Sequence, residues 1–118
     1  MILESCKIGS ISRIESEAGT TRANHYHLRD SHWILVNEGQ IEIYELEFGK
    51  EGLIPRKTIL NKGDLHFTDK LIEHTMYFPS CWTSFDCYSA LARDKENYEY
   101  ETVRLNYSLK DLYDSYSK

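Results

Sequence analysis

Short runs in which apolar and polar residues alternate make up most of the chain, and period-two alternation marks strands with one buried face. Ile8 to Ile14 reads as an early strand, followed by a polar loop ending near Gly19. In the triplet His25-Tyr26-His27, strand geometry sends both imidazoles to one face and Tyr26 to the other. His32 lies an odd number of residues beyond His27, so an unbroken strand would point it away; the polar insert Leu28-Arg29-Asp30-Ser31 must break or turn the chain. Residues 32 to 37 and 40 to 47 are expected to form the clearest hairpin, turned by Asn37-Glu38-Gly39-Gln40, with Gly39 suited to positive φ. Phe48 to Arg56 holds two glycines and Pro55 and reads as a loop. Strand-like runs resume at Lys57 to Leu60, Asp64 to Thr68, His74 to Phe78 and Cys81 to Leu91. So many short strands indicate an all-β sandwich or barrel.

Two segments depart from this pattern. Ser108-Leu109-Lys110-Asp111 resembles a capping box with Asp in place of Glu, and Leu109, Leu112, Tyr113 and Tyr116 recur at helical spacing. A short helix in the tail, residues 106 to 118, is expected to lie as a lid on the domain's own core. The run Trp33-Ile34-Leu35-Val36 is apolar on both faces, so its outer face needs a cover, either that helix or a second subunit.

Composition narrows the picture. The chain of 118 residues is long enough for one modest core, read as one domain over residues 1 to 118. Nine Tyr, four Phe and two Trp supply that core and argue against disorder. A net charge of −5 offers no basic face for nucleic acid. No stretch is long or apolar enough to span a bilayer, and Met1-Ile2-Leu3-Glu4 lacks the basic region of a signal peptide, so a cytoplasmic address is expected. Cys6, Cys81 and Cys87 form no C-x-x-C pair, which fits reduced thiols; Cys81 and Cys87 share a parity and read as small apolar fillers.

The glycines and histidines carry a named resemblance. Gly19, five residues, His25-x-His27, four residues, His32, six residues and Gly39 reproduce the spacing of the first cupin motif, in which the position of His32 is usually Glu. Gly63, ten residues and His74 reproduce the second motif across residues 63 to 78, although its usual Pro, Gly and Asn are Asp69, Leu71 and Phe78. The chain resembles a single-domain cupin, which implies an antiparallel β-barrel of the double-sheet jelly-roll type and, because such barrels commonly pair sheet to sheet, a homodimer. Thr21-Arg22-Ala23-Asn24-His25-Tyr26-His27 is similar to a segment of cupins associated with surface-polysaccharide synthesis, and Ala92 to Leu105 looks like the closing segment of small cupins associated with nucleotide-sugar modification.

The resemblance makes His25, His27, His32 and His74 ligands of a divalent metal ion such as Zn, Mn, Fe or Ni, since neutral imidazole suits all of these. Such a set leaves the ion's charge uncompensated and favours an anionic or sugar-derived small ligand. His66 points away from whatever Leu65 and Phe67 pack against and is a candidate general base. Tyr44 and Tyr77 are candidate proton donors, and Asp86 would be perturbed if buried in its apolar strand. The function expected is an isomerase or epimerase acting on a sugar, nucleotide sugar or related hydroxy-carbonyl compound. A non-catalytic ligand-binding module and an Fe-dependent dioxygenase are the alternatives.

Overall fold

In the computed structural model, which describes residues 7–47, 53–92 and 100–116, the alternating runs become strands β1 (Ser10–Ser16), β2 (Thr21–His27), β3 (His32–Glu38), β4 (Gln40–Glu47), β5 (Arg56–Asn61), β6 (Leu65–Thr68), β7 (Ile72–Tyr77), β8 (Thr83–Ser89) and β9 (Thr102–Arg104), followed by helix α1 (Leu109–Tyr116). Cys6, most of the loop expected at 48 to 56 and the middle of the closing segment lie outside the described residues. One sheet has the order β1-β8-β3-β6 and the other β5-β4-β7-β2-β9, antiparallel throughout. Successive strands mostly cross from one sheet to the other, the connectivity of a double-sheet jelly roll. The all-β class and the short C-terminal helix are therefore as the sequence led us to expect.

The hairpin expected from residues 32 to 47 does not form. β3 pairs with β6 and β8, while β4 pairs with β5 and β7, so the turn at Gly39 is a corner between sheets. Its φ of 90° is available to glycine at little cost. The reason for the corner is the shared burial of Ile34 and Val36 on β3 and of Ile41 and Ile43 on β4. As hairpin partners these residues would share one sheet, whereas placed in facing sheets they close over a single core with Leu60, Met76, Phe78, Phe85 and Cys87. Phe78 and Phe85, both fully buried, stack with centroids 5.8 Å apart. Cys87 is a buried filler as expected, but Cys81 is exposed in the turn before β8.

Helix α1 begins as its sequence indicates. Ser108 Oγ accepts a hydrogen bond from the Asp111 amide at 3.2 Å, the contact of an N-cap. Leu109 is fully buried and packs with Tyr44, Leu46, Tyr77, Leu105 and Tyr113, so the helix covers the outer face of the β4-containing sheet. The outer face of the other sheet is consequently not covered by the helix. There Trp33 and Phe67 lie with centroids 4.9 Å apart, beside Tyr88 and an exposed Ile11. Among the described residues, no helix is long and apolar enough to cross a membrane.

Candidate functional site

The core fills one end of the barrel, and the histidines occupy the other. β2 brings them into place through a bulge. Arg22 pairs with Met76 and His25 with His74, yet three positions separate Arg22 from His25 and only two separate Met76 from His74. The extra residue is absorbed at Ala23 and Asn24, whose φ angles are 69° and 61°. Without this shift, Arg22 and His25 would face opposite sides of the sheet. Asn24 tolerates the left-handed region and is tied down on the outer face. Its Oδ1 accepts from Thr75 Oγ1 at 2.8 Å and from the Leu109 amide at 3.3 Å, and its Nδ2 donates to the Tyr107 carbonyl at 2.8 Å.

His25 and His27 project inward from β2, and His74 from its neighbour β7. His32 projects from β3 in the facing sheet, because the insert Leu28 to Ser31 carries the chain across rather than bending a single strand back. All four are buried. Ring centroids lie 4.7 Å apart for His25 and His27, 4.7 Å for His25 and His74, and 5.5 Å for His27 and His74, while His32 stands 5.2 Å from His74 and 6.0 Å from His27. One ring nitrogen from each of His25, His27 and His74 falls within 4.8 Å of the others, which makes these three the tighter set.

Hydrogen bonds behind two of the rings fix their tautomers. His74 Nδ1 is 2.9 Å from the Ile72 carbonyl oxygen, and His27 Nδ1 is 2.6 Å from Glu101 Oε1. A carbonyl and a carboxylate only accept, so both Nδ1 atoms carry hydrogen and both Nε2 atoms carry a lone pair in the neutral ring. A cluster of neutral nitrogen donors held from behind suits a borderline divalent cation. His25, His32 and His74, with Arg22, Met76, Phe85 and Cys87 among their neighbours, line a cavity of about 100 Å³.

The other candidates separate by face. His66 pairs with the buried Ile34 and therefore points into the barrel. Its Nε2 lies 2.9 Å from Oε1 of Glu45, a buried carboxylate on β4 in register with His74. Thr68 Oγ1 donates to the other Glu45 oxygen at 3.1 Å, and Arg56 approaches at 3.4 Å. Burial alone would push the Glu45 carboxyl up, but the hydrogen bond and charge of His66, with Thr68 and Arg56, outweigh it and hold the group below its ordinary value. Tyr44 and Tyr77 lie on the outer face of their sheet, against the helix, and are not brought to the histidines. Burial pushes the Tyr44 hydroxyl up, as does its hydrogen bond to Glu42 at 2.6 Å. Asp86 also points outward, where Arg13 binds it through two hydrogen bonds of 2.8 and 3.1 Å. The hydrogen bond from Arg13 holds its carboxyl below the ordinary range, so Asp86 is an ionised partner of Arg13 on the opposite side of the sheet from the pocket.

Two carboxylates beside the histidines were not singled out in the sequence. Glu45 had a signal, since it shares the inward parity of Ile41 and Ile43 and a charge at such a position needs a partner. Glu101 had no local signal. It precedes the short β9, which pairs His25 with Arg104 and His27 with Thr102 across a long stretch of chain.

No protein-family model and no curated protein matches the sequence. Solved structures share the fold. The capsular polysaccharide assembling protein CapF from Staphylococcus aureus superimposes with a TM-score of 0.75 at 16% identity, over 86% of this chain and 29% of CapF. This chain thus spans less than a third of that protein. A 3,4-ketoisomerase from Helicobacter canadensis matches with a TM-score of 0.71 at 17% identity, over 99% of this chain and 82% of that one. QdtA, a sugar 3,4-ketoisomerase from Thermoanaerobacterium thermosaccharolyticum determined in complex with TDP, matches with a TM-score of 0.68 at 15% identity, over 92% and 72%. At these identities the likeness establishes the fold, and the cupin resemblance of the motifs agrees with it.

Proposed function

We propose that this chain is a metal-binding cupin that isomerises or epimerises a sugar, nucleotide sugar or related hydroxy-carbonyl compound, with His25, His27, His32 and His74 as the ligands of a divalent cation and His66 as the base. The reading is carried by the convergence of four buried imidazoles from two sheets, with the buried Glu45 in register with His74 and hydrogen-bonded to the half-buried His66. The sugar ketoisomerases that share its fold support the substrate class. A bound cation would supply Lewis-acid polarisation of an oxygen ligand.

The chain's own residues do the rest. Because Glu45 accepts from His66 Nε2, the lone pair of the neutral ring is at Nδ1. Nδ1 takes the proton from the hydroxyl-bearing carbon beside the substrate carbonyl and delivers a proton to the former carbonyl carbon while the hydroxyl proton passes to the former carbonyl oxygen, so one carbonyl forms as the other becomes an alcohol; in an epimerisation the proton is delivered to the opposite face of the same carbon. Between the two transfers the proton on Nδ1 exchanges with solvent, and because one carbon is oxidised as its neighbour is reduced, no redox partner is required. Glu45, anchored by Thr68 and Arg56, holds the ring and stabilises its charged form while the proton is in transit. Arg22 at the cavity wall places a cation where an anionic substrate group would approach.

Elemental analysis of protein purified without added metal tests the site. Wild type should carry stoichiometric divalent metal and His74→Ala should not. Incubation with a TDP-4-keto-6-deoxyhexose in deuterium oxide tests the chemistry, the expected result being deuterium at the carbon beside the carbonyl. Metal in neither protein would sink the metal site, and no incorporation would sink the isomerase.

The proposed assembly is a homodimer through the outer face bearing Ile11, Trp33, Phe67 and Tyr88. Sedimentation should give twice the 13.9 kDa chain mass, and Phe67→Glu should shift the protein toward monomer with an unchanged far-UV spectrum. A monomeric wild type would refute this assembly.

A further inference from the structure

Glu101 stands directly behind the histidine cluster, within the closing segment but outside both histidine motifs. Its Oε1 lies 2.6 Å from His27 Nδ1, and its Oε2 accepts from the Asp30 amide at 3.2 Å. Its own carbonyl accepts from the Leu28 amide at 2.8 Å. The side chain is 4% exposed, so its charge is held at the site with little water to screen it. Asp30 is equally enclosed and accepts from the Leu91 amide at 3.0 Å, which fixes the loop carrying Glu101's donors.

The position of this carboxylate answers a question raised by the sequence. Four neutral imidazoles give no charge to balance a dication, and His32 occupies the place where the cupin motif usually has Glu. We propose that Glu101 is the positioning residue of the site: it locks His27 with its lone pair at Nε2, toward His25 and His74, and supplies from one hydrogen bond away the negative charge that His32 does not provide. This rests on the metal reading given above. His27 transmits the effect, since its ring is polarised by the carboxylate at one nitrogen and faces the cluster with the other. The segment that reaches β9 is thereby part of the site as well as a closing edge of the sheet, because Glu101 and Thr102 clasp the His27 end of β2.

Zinc affinity of the full chain, measured by competition with a chelator, and long-range proton–nitrogen spectra of the ¹⁵N-labelled, metal-free protein test this together. Wild type should show His27 with hydrogen on Nδ1. Glu101→Gln keeps an acceptor for that hydrogen but removes the charge, so it should preserve the tautomer and weaken zinc binding by about 10- to 100-fold. Glu101→Ala should lose both the tautomer preference and the affinity, and Glu101→Asp should recover part of each. A fold defect alone would not separate the Gln and Ala variants in this way. Unchanged zinc affinity in Glu101→Gln, or hydrogen on Nε2 of His27 in wild type, would overturn the proposal. Complete loss of zinc in Glu101→Gln with retention in His74→Ala would overturn it too, by placing the ion among His27, Asp30 and Glu101 instead. Absence of zinc binding in wild type would overturn the metal reading and the charge role with it, while the Nδ1 hydrogen at His27 would still support the positioning role.

Discussion

Gly39→Ala is expected to destabilise the protein by about 2 to 5 kcal/mol, combining a left-handed backbone penalty of about 1 to 2 with an overpacking cost of about 1 to 3. At φ 90° a Cβ on residue 39 would lie 2.3 Å from Thr83 Oγ1, 2.7 Å from the Trp82 carbonyl oxygen and 2.8 Å from Thr83 Cα. The hydroxyl cannot simply rotate aside, because the same Oγ1 accepts from the Gln40 amide and donates toward the carbonyls of Gln40 and Cys81. Two of the three collisions involve backbone, so the corner between β3 and β4 must move. Gly63→Ala provides the comparison. Its φ is 88°, but nothing lies within 4 Å of the added carbon, so only the backbone penalty of about 1 to 2 kcal/mol applies. Urea unfolding of the two variants separates the terms. Equal losses in both would show that contact with Thr83 does not determine the corner. Against a total stability of about 5 to 15 kcal/mol for a domain, a loss of about 2 to 5 kcal/mol should lower the urea midpoint of the Gly39 variant markedly, and it empties the folded state only at the bottom of that stability range.

Removal of the proposed base should have the largest effect on catalysis. His66→Asn keeps a polar group in the same space and should retain bound metal, while deuterium incorporation from solvent should fall by about 10²- to 10⁴-fold, the usual contribution of a positioned general base. Glu45→Gln should leave the ring in place but without the charge that stabilises its protonated form, giving a smaller fall and a changed pH profile. Glu45 also predicts its own acid sensitivity. Because its folded-state value lies below the ordinary one, its contribution to stability is present above the unfolded value and lost as pH falls through the folded one. Full exchange activity in His66→Asn would exclude it as the base and move attention to the histidine cluster itself.

The alternation of side chains and the glycine spacing made the strands and the shared face of His25 and His27 legible, because both are local properties. Strand partners were less accessible. The segment around Gly39 has the pattern of a hairpin, and only the need to bury Ile34 and Val36 against Ile41 and Ile43 across two sheets turns it into a corner. The same limit applied to the acid/base candidates. Tyr44, Tyr77 and Asp86 each lie in an apolar strand, and parity within a strand identifies two faces without saying which is the interior. Once the sheets are formed, these three point outward and His66 points inward. Asn24 illustrates a different gap: its left-handed backbone and three hydrogen bonds create the bulge that aligns His25 with His74, yet nothing in its neighbours marks it. Glu101 was hidden by distance along the chain.

The strand order has a consequence for biosynthesis. His25 is matched to His74 on one side and to Arg104 on the other, while His32 meets Ser89 and Thr68, so β2 and β3, which bear three of the four proposed ligands, wait for partners made later. Long-range pairing of this kind folds slowly compared with local structure. A chain still emerging from the ribosome carries His25, His27 and His32 for most of its synthesis without the elements that organise them, and the pocket closes only after residue 104 has been released. On the proposed metal reading, an ion encountered before that point would meet separate histidines on an open chain, and completion of the barrel, rather than the appearance of the proposed ligands, would time loading.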